Sequence, residues 1–101
     1  MEIAELQRLI RATYGAQDRA RGVSGTFAWF VEEVGELSRA IHRGDHDHRV
    51  EEFSDVLAWL VSLADLCDVD LADAAHTRYG AGCPKCHASP CVCAVADPTR
   101  P

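Results

Sequence analysis

The chain has 101 residues, of which 48% are hydrophobic and 26% charged, and these values describe one small soluble globular domain. Its formal net charge of −6 argues against general nucleic-acid binding, which requires a cationic surface. No apolar run approaches the roughly 20 residues of a membrane span, and the acidic, amphipathic N-terminus is unlike a signal peptide, so we expect a cytoplasmic protein with no membrane partner.

The spacing of apolar residues predicts four helices and no strands, hence an all-α fold. The first helix is predicted over about residues 2–14, with Gly15 as its stop and an arginine-rich loop over residues 16–23. The second begins at Ser24 or Thr26, either of which can cap it. Its predicted core stripe consists of Phe27, Phe30, Val31, Val34, Leu37 and Ile41.

The second helix is predicted to end at Gly44, and the short polar turn that follows returns the third helix, about residues 48–67, antiparallel to it. Apolar residues such as Trp59 extend far round the third helix, so we expect a second cover, which in so short a chain is another subunit. A short fourth helix is predicted over about residues 71–79, with Asp70 as its N-cap. The predicted core face of the third helix consists of Val50, Phe53, Leu57, Leu60, Val61 and Ala64.

Two acidic motifs lie on the second and third predicted helices. Each holds two carboxylates three residues apart, Glu33 with Glu36 and Glu52 with Asp55, and this spacing puts both members of a pair on one helix face. Antiparallel packing would aim four carboxylates at one point, and a divalent cation such as Mg²⁺ would relieve their repulsion. The alternative is an ordinary solvated acidic face, but both pairs flank apolar stripes and neither has a basic residue at i+4.

Together the two motifs resemble the signature of the MazG-like, all-α nucleoside triphosphate pyrophosphatase superfamily. The resemblance lies in TFAWFVEEVGELSRAI at residues 26–41 and EEFSDVLAWL at residues 51–60, at their present spacing. It implies a four-helix bundle over residues 1–80 with an antiparallel central hairpin, assembled as a homodimer or homotetramer. It also implies hydrolysis of ribo- and deoxyribonucleoside triphosphates to monophosphate and pyrophosphate with Mg²⁺ or Mn²⁺, and a role in removing aberrant nucleotides.

Carried over to this sequence, the resemblance assigns roles to five acidic residues of the two motifs, and four further residues are candidates for binding substrate. Glu32 would hold a further metal ion or orient the attacking water. Arg78 matches a position that is often basic in relatives and, with Arg19 and Arg21 before the first motif, is a candidate for phosphate binding, although surface exposure is the ordinary state of each. Trp29 could stack on a base, and a core or interface role fits it equally. The implied magnesium ligands are Glu33, Glu36, Glu52 and Asp55.

Beyond the fourth helix, residues 81–95 form a cysteine-rich segment, and residues 96–101 are expected to be a frayed tail. A CxxC turn followed by a second close pair of thiols is typical of tetrahedral Zn²⁺ sites, so we predict a short coil that binds structural zinc. His87 could replace one thiol. The alternatives are disulfides, which the reducing cytosol disfavours, or free thiols on a disordered tail. The four predicted zinc ligands are Cys83, Cys86, Cys91 and Cys93.

Two functional hypotheses follow from these motifs. The first is a nucleoside triphosphate pyrophosphohydrolase, in which water attacks the α- or β-phosphorus. The alternative is a non-catalytic, zinc-stapled helical dimer that binds a nucleotide or a protein partner. Only the enzyme needs the acidic residues, so alanine at Glu36 or Asp55 distinguishes the two hypotheses.

Overall fold

The computed structural model describes residues 1–94, and all regular elements among them are helices. The chain divides into a first unit, Met1–Asp70, and a second unit that begins at Leu71. Residue 95 and the tail predicted over residues 96–101 lie outside the described residues. The three helices are α1 (Ile3–Arg43), α2 (His46–Leu66) and α3 (Leu71–Tyr79).

Helix α1 contains the first two predicted helices and is interrupted at Gly22. The φ of 81° and ψ of 173° at Gly22 belong to a backbone region that is essentially restricted to glycine. The prediction of a loop over residues 16–23 is therefore wrong, because the helix continues through Gly15 up to the break. A glycine within a helix costs only about 1 kcal/mol relative to alanine, so Gly15 weakens α1 without ending it.

Polar side chains hold the two segments of α1 together across the break. Arg21 Nη1 donates to Asp18 Oδ1 at 3.0 Å and to Thr26 Oγ1 at 3.3 Å. Both acceptor residues are buried, Asp18 with 5% exposure and Thr26 with none. Arg21 thus connects the end of the first segment to the start of the second, which fixes the direction in which the helix resumes.

Helix α2 packs on α1 as its antiparallel neighbour. The chain reverses at Gly44 and Asp45, and Asp45 caps α2 by accepting a hydrogen bond from the His48 backbone N–H at 2.9 Å. At the other end, Arg11 Nε on α1 donates to Asp65 Oδ1 on α2 at 2.6 Å. The predicted antiparallel hairpin is present, and it brings the two acidic motifs onto neighbouring helices.

The core of the single chain is small, and its members differ from those predicted. Val61 and Ala64 are buried as expected, together with Ile10 and Ala40. Phe30 and Leu37 are half-buried. The eight remaining predicted core positions form two exposed apolar stripes, one on each long helix, because two helices can cover only one face of each other. The stripes, 42–55% exposed, comprise Phe27, Val31, Val34 and Ile41 on α1 and Val50, Phe53, Leu57 and Leu60 on α2. No helix of the described residues has the length and apolar character needed to cross a membrane.

Candidate metal centre and adjoining cavity

Three carboxylates from the two long helices converge in the first unit. Glu33 comes from α1, whereas Glu52 and Asp55 come from successive turns of α2. One carboxylate oxygen from each residue lies within 4.8 Å of the other two. The i,i+3 spacing puts both α2 carboxylates on one face of that helix, and the antiparallel packing puts Glu33 opposite them.

Two carboxylates of this cluster, Glu33 and Glu52, lack full compensation of their charge or hydrogen-bonding capacity. The pKa of Glu33 is raised, first by burial and then by the charges of Asp55 and Glu52. Glu52 is buried, and its Oε2 atom has no hydrogen-bond partner among the described residues. Its Oε1 atom lies 3.7 Å from His48 Nε2. Because a buried carboxylate oxygen without a partner is costly, this donor set fits a hard divalent cation.

The two other acidic residues predicted for this site lie outside the cluster. Glu36 forms an ion pair with Arg39, three positions further along α1, a spacing that a search for basic residues at i+4 overlooks. It is nevertheless close enough to Glu33 for its charge to contribute to the raised pKa there. Glu32 is exposed on α1. The structure therefore brings together three of the four predicted ligands and pairs the fourth with an arginine.

A cavity of about 270 Å³ opens beside the carboxylates, and Asp55 belongs to both. The guanidinium carbon of Arg21 lies 4.9 Å from the centre of the Trp59 ring, and that ring stacks on Trp29 with 6.1 Å between centroids. The cavity thus combines a cation and an aromatic wall next to the acidic cluster. The lining residues are Tyr14, Gln17, Asp18, Arg21, Asp55, Ala58, Trp59 and Ser62.

The other residues predicted to bind substrate lie in different places. Arg19 lines a separate cavity of about 660 Å³, together with Arg8 and Arg11. Arg78 belongs to α3 in the second unit, where its guanidinium carbon lies 5.8 Å from the centre of the Tyr79 ring.

Sequence reasoning missed the lining role of the first segment of α1. Tyr14, Gln17, Asp18 and Arg21 follow the i, i+3, i+4, i+7 spacing of one helix face. The sequence contains this helical spacing, but it was not recognised because residues 16–23 were predicted to form a loop.

The second unit holds a separate group of four thiols. The sulfur atoms of Cys83, Cys86, Cys91 and Cys93 all lie within 4.8 Å of one another. The Sγ atoms of Cys83 and Cys93 are 3.8 Å apart, and those of Cys86 and Cys91 are 3.9 Å apart. None of these residues forms a disulfide.

Fold and site define an all-α protein whose candidate metal centre is built from carboxylates on two adjacent helices. The family model of the MazG nucleotide pyrophosphohydrolase domain matches residues 21–79, which is more than half of the chain. The protein therefore belongs to the MazG nucleotide pyrophosphohydrolase family. The matched region includes the three carboxylates and Arg21 but excludes the four clustered cysteines. Comparison with curated proteins gave no match.

Proposed function

We propose that this protein hydrolyses nucleoside triphosphates to the monophosphate and pyrophosphate with the help of Mg²⁺ or Mn²⁺. The observation that carries the proposal is the convergence of three carboxylates, one of which, Glu52, has a buried oxygen with no hydrogen-bond partner among the described residues. Membership of the MazG family supports the reaction class.

Glu33, Glu52 and Asp55 would hold the divalent cation in this proposal. When bound, the cation neutralises charge on the phosphate oxygens and favours ionisation of an attacking water. Glu36 would complete a fourth ligand position by exchanging Arg39 for the cation. Glu32, exposed one residue before Glu33, is our candidate for orienting the water or holding a further ion.

We assign the cavity beside Asp55 to the nucleotide. Arg21 is held in place by Asp18 and Thr26, so it offers a fixed positive charge to the phosphates at little cost in side-chain entropy. The stacked rings of Trp59 and Trp29 offer an aromatic surface to the base. Because Arg19 lines a different cavity, we take Arg21 as the preferred candidate for binding the phosphates.

We also propose that the protein works as a homodimer or homotetramer in the cytoplasm. The two apolar stripes carry eight large side chains that are 42–55% exposed in the single chain, and extended exposed apolar surface marks interaction sites. A second copy would cover this surface and supply the additional cover that the apolar circumference of α2 requires.

Incubation with a panel of ribo- and deoxyribonucleoside triphosphates, with Mg²⁺ or Mn²⁺, tests the proposal through released pyrophosphate. We expect equal amounts of monophosphate and pyrophosphate from the substrate. Reaction in heavy-oxygen water identifies the phosphorus attacked, because the label enters the monophosphate after attack at the α position and pyrophosphate after attack at the β position. Tight nucleotide binding without any hydrolysis would instead favour the non-catalytic binding module.

A further inference from the structure

The four thiols of the second unit have the mutual distances of ligands around a single tetrahedral ion. Zinc–sulfur bonds of about 2.3 Å place neighbouring sulfurs of a regular tetrahedron about 3.8 Å apart. The pairs Cys83–Cys93 and Cys86–Cys91 are separated by 3.8 Å and 3.9 Å. These distances far exceed the roughly 2.05 Å of a disulfide bond, so the sulfurs surround a point instead of bonding in pairs.

The backbone around the first two thiols is built to bring them together. Cys83 N–H donates to the carbonyl of Ala88 at 2.9 Å, and His87 N–H donates to the carbonyl of Cys83 at 2.7 Å. Gly82 precedes this turn with a φ of 102°, and a Cβ there would lie 2.5 Å from the Ala88 oxygen. The turn therefore requires glycine at position 82, independently of the cysteines.

Backbone N–H groups also point at the sulfurs. Val92 N–H donates to Cys86 Sγ and Cys93 N–H donates to Cys91 Sγ, each at 3.4 Å. N–H donors of this kind stabilise thiolate sulfurs, and several thiolates this close together need a cation to offset their mutual repulsion.

We propose that Cys83, Cys86, Cys91 and Cys93 bind one Zn²⁺ in a closed structural site, which goes beyond the proposed hydrolase function. Four thiolates complete a tetrahedral site, so His87 is left outside it and no position remains open for substrate. On binding, each S–H proton is released to solvent and each sulfur gains a bond to zinc, with no change of oxidation state.

In this proposal the zinc ion stabilises helix α3 within the second unit. Helix α3 has nine residues, none of them buried, and isolated helices of this length are marginal in water. Its end is connected to the cysteine segment by a hydrogen bond of 2.8 Å from Gly82 N–H to the carbonyl of Tyr79. Zinc binding therefore stabilises α3 from its C-terminal end, and α3 carries Arg78.

Metal analysis of the full chain, purified under reducing conditions, tests the zinc site without any activity measurement. We expect one zinc per chain in the wild type and loss of that zinc in Cys83→Ser and Cys91→Ser. Cys67→Ser is the matched control and should keep its zinc, because Cys67 is exposed at the end of α2 and outside the thiol group. Co²⁺ should replace zinc with the visible spectrum of a tetrahedral thiolate complex.

Thiol alkylation of the wild type keeps the test valid even if the serine variants fold poorly. We expect Cys67 to react at once and the four clustered thiols to react only after a chelator is added. Hydrogen exchange over residues 71–93 should then accelerate, while exchange in α1 and α2 stays unchanged. The proposal is wrong if the wild type neither contains nor takes up Zn²⁺ or Co²⁺, if all five thiols react together before chelation, or if intact mass shows four missing hydrogens from two disulfides.

Discussion

Replacing Glu52 by glutamine removes one negative charge from the candidate metal centre with almost no change in shape. Two unit charges 4.8 Å apart, the upper limit of the oxygen–oxygen distances in the cluster, repel by about 0.9 kcal/mol at the dielectric constant of water and about 3.5 kcal/mol at an effective constant of 20. Glu52 is buried and has two such neighbours, and proton uptake at Glu33 relieves part of the repulsion. We therefore expect metal-free Glu52→Gln to be more stable than wild type by about 1–3 kcal/mol.

Thermal denaturation followed by circular dichroism, in a chelator and then in excess Mg²⁺, measures both halves of this prediction. In chelator the variant should melt higher, by roughly 4–8 °C for each kcal/mol. When Mg²⁺ is present at 100 times its dissociation constant, the free energy of unfolding of the wild type should rise by about 2.7 kcal/mol. That of the variant should rise much less. Chain concentration must be equal in all samples, because self-association would also shift the melting temperature.

Glu51→Gln is the matched control, since it makes the same charge change one residue away on an exposed position. It should change neither the metal-free melting temperature nor the response to Mg²⁺ by much. The reasoning is refuted if metal-free Glu52→Gln melts clearly below wild type. Such a result would mean that His48, whose Nε2 lies 3.7 Å from Glu52 Oε1, already compensates the charge.

Three further predictions concern the backbone, pH and the arginine of the cavity. Gly22→Ala should lower the free energy of unfolding by about 1–3 kcal/mol, because its φ of 81° excludes a Cβ. Gly35→Ala, at a helical position with open space, is the control and should be neutral or stabilising. Equal chemical denaturation curves for the two variants would contradict this prediction. Because the pKa of Glu33 is raised in the folded protein, the native state binds more protons than the unfolded state at pH values above the ordinary glutamate pKa of about 4.3. The stability of the metal-free protein should therefore fall as pH rises through the folded pKa. Glu33→Gln should make this fall shallower. Arg21→Ala should lower the free energy of unfolding, measured in urea, by roughly 2–4 kcal/mol because buried Asp18 loses its ion pair. Adding Asp18→Asn to this variant should restore part of the loss. If it restores nothing, Arg21 acts through other contacts.

The hairpin and its acidic face were predictable from local rules. The turn at Gly44 and Asp45 forces α2 to return along α1, and carboxylates three residues apart share a helix face whatever surrounds them. The pairing of Glu36 with Arg39 was not predicted, although both residues are visible in the sequence. An i+3 ion pair and a metal ligand compete for the same carboxylate, and only the positions of neighbouring helices decide between them.

The position of the helix break and the extent of burial depend on contacts that the sequence does not specify locally. Gly15 and Gly22 look alike as helix stops, but only Gly22 adopts a positive φ, where Arg21 reaches across to Thr26. The apolar stripes were expected to form the core, and the periodicity does identify the apolar face of each helix. Periodicity does not specify which parts of an apolar face another element covers, and in the single chain Phe27 and Phe53 remain more than half exposed.

The most direct test of the carboxylate centre is the divalent-metal dependence of pyrophosphate release by wild type, Glu52→Gln and Glu51→Gln. We predict no release in chelator, release by wild type and Glu51→Gln once Mg²⁺ or Mn²⁺ is added, and a loss on the order of 100-fold or more in Glu52→Gln. Wild-type rates in Glu52→Gln, or release that persists without a divalent cation, would contradict the account.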